Sequence, residues 1–414
     1  MSSMMHNHLV TQAAGSDNKE PGEAGTQVER ETQNIKYKLS GDKIISHDPL
    51  LSRDVSSLSY FLRAHGSMKP NHWLSIRGTH PETRTRTVYR DGRTETETYE
   101  DTVVDFDFKI DLSRLLELDP IFYTVADNVP AYRGSMRMAT EENGPTNIEG
   151  RRLVSSDEKS TQKRWLKESR RLGLPPWMIP PSHQTGERST EQATSRFPPS
   201  RTLENWLADY CASQRTIKDF KLRKVVYGWN QDALTQSIYG LIWSTGYQHE
   251  QPGASVFIKF HSSPTSVHVR SSSFVSKIFS SWILIALFSL ILVFPFLWLW
   301  RRYWPEAGGK WGVSGVGFPL KRWELLGGTF PGDTVEAARA RLSATPGRQA
   351  EAFKRLQAGL GGVWVLQGTH EGDWFRAWEY SIRLAVRDRQ GGWLNRQVYD
   401  RVHPNVLASQ LDRL

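Results

Sequence analysis

Apolar residues gather most densely between Ile278 and Trp300, where 23 successive positions hold no charged side chain. A helix rising about 1.5 Å per residue crosses a hydrocarbon core of about 30 Å with roughly 20 such residues. Trp282 stands near one end, Trp298, Trp300, Tyr303 and Trp304 stand at the other, and Lys277, Arg301 and Arg302 bracket the run. Amphipathic rings and cations in those places suit the two headgroup layers. The pattern predicts one transmembrane helix over residues 278–300.

Ahead of that run the dominant period is two. Trp73–His80 reads as a strand, and Asp91-Gly92 is a favoured two-residue turn between TRTRTVYR and RTETETYEDTVVDFDFKIDL. If Arg90 lies opposite Arg93, then Arg86 faces Glu97, Thr87 faces Thr96 and Thr85 faces Thr98. Past Thr102, Val104, Phe106, Phe108, Ile110 and Leu112 point one way, and Asp105, Asp107, Lys109 and Asp111 the other. The acidic row from Asp101 to Asp111 would stretch over about 30 Å of strand, too far for one cation, and reads as a solvated face.

Helical spacing appears at Val55, Leu58, Phe61 and Leu62, and again over residues 201–214 and 231–247, on either side of a strand over 220–230. Alternation over 254–271 predicts a hairpin turning at Ser263-Pro264. Residues 131–199 form a polar, partly disordered insert. Within it Ser155 and Glu158 make a capping box that opens a strongly basic helix ending at Gly173. After the apolar run, residues 305–330 read as a Gly-rich aromatic linker. Helices follow over 333–342 and 346–360, then a short strand between Gly361 and Gly368. In a final helix Trp374, Trp378, Ile382 and Val386 recur every four residues and face inward.

The chain thus divides into a disordered tail (1–36), an N-terminal mixed α/β domain in two parts (44–130 and 200–274), the insert (131–199), the transmembrane helix (278–300), the linker (305–330) and a mainly helical C-terminal region (331–414). The expected fold class is α+β and membrane-anchored, with antiparallel hairpins.

The net charge of +9 is spread along the chain and comes without finger, zipper or RNA-binding motifs, so nucleic acid is not an expected partner. A lone cysteine, Cys211, allows no internal disulfide and fits a reducing compartment. The first residues lack the apolar core of a secretory signal, and no Asn opens a glycosylation acceptor. These features place residues 1–274 in the cytosol, at an endomembrane. Cations lie on both sides of the run and leave the far end open, and Pro295 offers a kinked segment that enters and leaves one face.

Chemistry is harder to find. Gly312-Val313-Ser314-Gly315-Val316 lacks the closing Gly of a nucleophile elbow, and Gly315-Val316-Gly317 lacks the third Gly of a dinucleotide turn. His370-Glu371 has no second His at zincin spacing, and Cys211 sits alone on an apolar helix. No catalytic residue, metal ligand or cofactor is implied.

The blocks HDPLLSRD (His47–Asp54), IRGTHPETRTRT (Ile76–Thr87), TETYEDTVVDFDFKIDLS (Thr96–Ser113), KVVYGWN (Lys224–Asn230) and EGDWFRAWEYSIRLAV (Glu371–Val386), with the aromatic apolar run, resemble a group of uncharacterised fungal single-span membrane proteins. That resemblance implies an architecture and no activity. The expected function is a membrane-anchored binding or scaffold module with membrane lipid and a protein as partners. The alternative is a membrane-tethered enzyme acting on a lipid-like substrate. A buried cluster of His, Asp and Glu in a cleft would favour the enzyme.

Overall fold

A computed structural model describes residues 35–90, 93–139, 151–178, 199–279, 282–290, 294–296, 298–299, 308–343, 355–359, 361–396 and 411. The chain opens with β1 (Tyr37–Ser40), β2 (Lys43–Ser46), α1 (Val55–Ser67) and the long strands β3 (Asn71–Arg90) and β4 (Arg93–Asp111). Next come β5 (Ile121–Thr124), β6 (Ala131–Met138), β7 (Arg152–Leu153), α2 (Ser156–Arg171), α3 (Leu203–Ala212) and β8 (Ile217–Tyr227). They are followed by α4 (Gln231–Trp243), α5 (Tyr247–Glu250), β9 (Ser255–Ser263), β10 (Ser266–Arg270), α6 (Phe274–Ile278) and α7 (Trp282–Leu290). The last elements are β11 (Gly308–Pro319), β12 (Lys321–Leu325), α8 (Val335–Ser343), β13 (Leu356–Gly359), β14 (Gly362–Gly368), α9 (Glu371–Arg387) and β15 (Gly391–Trp393).

The largest sheet runs β1-β2-β10-β8-β11-β6-β7, with β5 also paired to β11. A second sheet runs β15-β4-β3-β9, and a small third one β12-β14-β13. One core cluster draws on both larger sheets and on α1, α3, α4 and α9, through residues such as Leu62, Phe108, Leu207, Phe220, Leu241 and Phe375. The inward stripe of α9 holds: Trp374, Ile382 and Val386 are buried, and Trp374 packs against Trp229 with ring centroids 5.5 Å apart.

The β3–β4 register is the one the alternation implies. Arg86 pairs with Glu97 and Thr87 with Thr96, and the Arg86 guanidinium donates to Glu97 at 2.8 Å. The turn residues themselves lie outside the described ones. Nearer the core the period slips at a bulge, where Gly78 pairs with Phe106 but Thr79 with Val104. The extra residue is Asp105. The slip turns Asp105 inward and leaves Val104 42% exposed, against the strict alternation.

Several expectations need correction. Among the described residues no helix is long and apolar enough to cross a membrane. Topology supplies the deeper reason. β10 ends with Arg270 opposite Asp219 of β8, and β11 begins with Gly308 opposite Ile217 of the same strand. The apolar segment therefore leaves and re-enters one sheet at one end of β8. Its flanks cannot stand on opposite sides of a bilayer, and the membrane-anchored, single-span fold class falls with it.

Residues 305–330 are not a linker, because β11 is an inner strand of the large sheet and its glycines admit aromatic rings. A Cβ on Gly315 would lie 2.4 Å from the Tyr123 hydroxyl. The hairpin at Ser263-Pro264 does not form either. β9 pairs with β3 and β10 with β2 and β8, since alternation marks a strand without naming its neighbour. Of the helix expected over 346–360, Leu356–Gly359 is strand, and 344–354 lies outside the described residues. The C-terminal region is not helices alone: among its described residues β13 and β14 join β12 in a three-stranded sheet, and β15 pairs with β4.

Candidate functional site

The arm between β10 and β11 is rooted by short polar contacts. The Ser271 and Ser273 hydroxyls both donate to the Thr216 carbonyl, at 2.8 and 3.0 Å, and the Ser273 side chain caps α6. Ser276 and Ile278 are buried against the body. Beyond them the arm packs on itself, with Phe274 edge-on to Phe288 at 6.1 Å and Phe279 against Phe294 at 5.4 Å. Past that point burial stops. α7 is WILIALFSL, with no charge, yet none of its described side chains is buried, and Ile283, Leu287 and Leu290 are 60%, 53% and 81% exposed. A helix apolar on every face is ordinarily covered on every face.

Cations surround the root. Arg270, Lys38 and Lys277 lie near His47, whose pKa burial lowers first and these charges lower further, against the hydrogen bond to the Ser271 carbonyl. Arg270 is engaged with Asp219 at 3.7 Å, and Lys310 stands over the Tyr132 ring.

The enzyme alternative turns on buried clusters of His with a carboxylate, and three such sets stand among the described residues. In the first, the His268 ring reaches Asp219 at 2.9 Å through Nδ1 and the Ser266 hydroxyl at 3.2 Å through Nε2. A serine, histidine and carboxylate in one row is the arrangement that activates a nucleophile. Here Ser266 is 1% exposed in an inner strand paired on both sides, so a substrate has no approach. Burial raises the Asp219 pKa, but the His268 hydrogen bond and the charges of His268, Arg270 and Lys310 outweigh it and hold the carboxyl below its usual value.

The second set fastens the bulge: Asp105 accepts from Tyr247 at 2.7 Å and contacts His80 Nδ1 at 2.8 Å. In the third, Glu371 pairs with Lys321 at 2.6 Å, near His370, tying the start of α9 to the start of β12. Burial pushes His370 down to about 4, helped by the Lys321 charge. Cys211 is held as a thiol, pushed up to about 11 by burial despite the nearby Lys218. Among the described residues no group of three or more His, Cys, Asp or Glu could hold a metal ion.

The motifs that fail by spacing land in structural roles. Gly312–Val316 lies inside β11, and His370 caps α9 by accepting from the Gly372 amide. The Ser266–His268–Asp219 row carried no sequence signal, because its members come from two strands 47 residues apart. No family model, curated protein or solved structure matches the chain.

Proposed function

We propose that the protein is a non-catalytic binding module that rests on a lipid surface through its uncharged arm and presents its two-sheet body to a protein partner. The observation that carries this reading is α7, uncharged and uncovered, on an arm whose two ends meet at one end of β8. Such an arm dips into one leaflet and returns, and does not cross. Each large, half-exposed side chain gains roughly 1–2 kcal/mol on leaving water, and each cation near an anionic surface adds about 1 kcal/mol. Lys277, in α6 at the root, stands where headgroups would meet it. The sum suits reversible peripheral binding.

The test is flotation of the full chain with vesicles of phosphatidylcholine alone and vesicles enriched in phosphatidylserine. Wild type should float with both, more with the anionic vesicles at low salt, and Ile283→Glu with Leu287→Glu should abolish flotation. Binding unchanged by those substitutions would overturn the reading. So would self-association in solution, without lipid, that the same pair removes, because a second copy would then be the cover. Protease access to tags at both ends from the same side of sealed vesicles is a further requirement.

A further inference from the structure

Beside the arm's sheet, on the other edge of β11, the ladder changes partner. β11 pairs with β6 at Lys310 and Trp311, and with β5 from Ser314 to Gly317. Between the two sets its register against β8 also shifts. Strand pairing cannot fill such a break, and bulged rims often frame binding sites. Helix α2 lies across the opening, and beneath it is a cavity of about 150 Å³.

Two features give this cavity a chemical preference. First, Ser314 and Trp165 line it, 3% and 9% exposed, and the Ser314 hydroxyl and the Trp165 indole N–H have no hydrogen-bond partner. An indole nitrogen can only donate, so the buried deficit is of acceptors. An unmet buried donor is destabilising, and an arriving acceptor relieves that cost. Second, Lys159, Lys163 and Arg223 line the same space, and among the described residues they form no ion pair and no carboxylate joins the lining. Val129, Met136, Leu166 and Pro176 give the wall an apolar part, beside Gln162 and the rings of Tyr123 and Tyr132.

From these observations we infer that the cavity binds a small carboxylate with a flat apolar body, of the size of benzoate. The carboxylate oxygens accept from Trp165 Nε1–H and Ser314 Oγ–H, the three cations balance the charge, and the ring lies against the apolar wall. An apolar cavity of about 150 Å³ takes one benzene ring, which sets the upper size of the body. The inference stands apart from lipid binding, since the cavity lies under α2 and includes no residue of the arm.

Calorimetric titration of the full chain tests it with benzoate, benzyl alcohol and inorganic phosphate as probes. Benzoate should saturate at one site, benzyl alcohol should bind at least about tenfold more weakly for want of the charge, and phosphate should give no saturable heat. Trp165→Phe and Ser314→Ala should each weaken benzoate by about five- to tenfold with the thermal midpoint kept. Lys159→Gln with Lys163→Gln should weaken it and reduce its salt dependence, leaving the share of Arg223, and Lys167→Gln, outside the lining, should change nothing. The indole N–H resonance that disappears in Trp165→Phe should move in wild type on adding benzoate. Absence of saturable benzoate binding, equal affinity for benzyl alcohol, or wild-type affinity in both Trp165→Phe and Ser314→Ala would overturn the assignment.

Discussion

Replacing Asp127 with alanine should be among the most damaging single changes to this fold. Its carboxylate is buried, accepts from Arg151 at 2.6 Å and from the Ser200 amide at 2.8 Å, and lies 3.9 Å from the Arg133 guanidinium. The side chains of Asp127, Arg133 and Arg151 are each only 2% exposed, so two cations share one buried anion. The strain of that crowding is visible in Arg133, pushed down to about 10 by burial and by the charge of Arg151, with Asp127 opposing. Arg133 also donates to the carbonyls of Ala126, Val129 and Arg137, which would remain. Among the described residues Arg151 would keep the Ser200 hydroxyl at 3.2 Å and its place over the Trp206 ring, with no anion bonded to it, so the loss falls mainly on it.

Removing one partner of a buried pair costs about 3–5 kcal/mol, and the orphaned Ser200 amide adds about 1 kcal/mol. With a urea slope of about 3 kcal/mol/M, Asp127→Ala should lower the unfolding midpoint by roughly 1.3–2 M, followed by tryptophan fluorescence. Adding Arg151→Met removes the stranded charge and should restore at least about 1 kcal/mol. A midpoint shift below about 0.3 M, or a double variant no more stable than Asp127→Ala alone, would refute the account.

Other consequences follow from burial and backbone geometry. His72, buried and held by the His261 carbonyl at 2.8 Å, is pushed down to about 4 by burial, so the neutral ring belongs to the folded state. Its contribution is complete above the unfolded value of about 6.5, falls as pH drops toward 4, and amounts to about 3 kcal/mol. Urea midpoints taken across that window should therefore fall less steeply in His72→Gln than in wild type, and parallel slopes would contradict the assignment. Gly173 has φ of +67°, and a Cβ there would lie 1.9 Å from the Trp229 carbonyl oxygen, whereas Gly246, with φ of +88°, has open space around it. Gly246→Ala should cost about 1 kcal/mol from backbone conformation alone, and Gly173→Ala roughly 2 kcal/mol more, measured by the same unfolding assay. Equal costs would show that the carbonyl does not set the site.

Local rules were enough where a residue's fate depends on near neighbours. The Asp91-Gly92 turn and the alternation around it determined the β3–β4 register, because a slip of one residue would exchange the two faces. Ser155 and Glu158 form the capping box their spacing implies, and the four-residue Trp/Ile stripe of α9 determined its buried face. Partners distant in sequence were out of reach. Asp105 reads as one more solvated acid until the bulge turns it inward to Tyr247, a residue 142 positions away. The glycines of β11 read as a linker because the rings that need their space, Tyr123 and Tyr227, belong to other strands.

The cavity under α2 exists only because β5 and β6 take up different halves of one edge, which no local pattern records. The apolar run is the sharpest case. Composition determined that residues 278–300 avoid water, and it could not determine where their two ends stand. That was decided by hydrogen bonding along β8, which takes β10 on one side and β11 on the other and brings both ends of the run to the same place. Hydrophobicity is a property of each residue, whereas the side of a membrane on which a segment ends is a property of the sheet that holds its flanks.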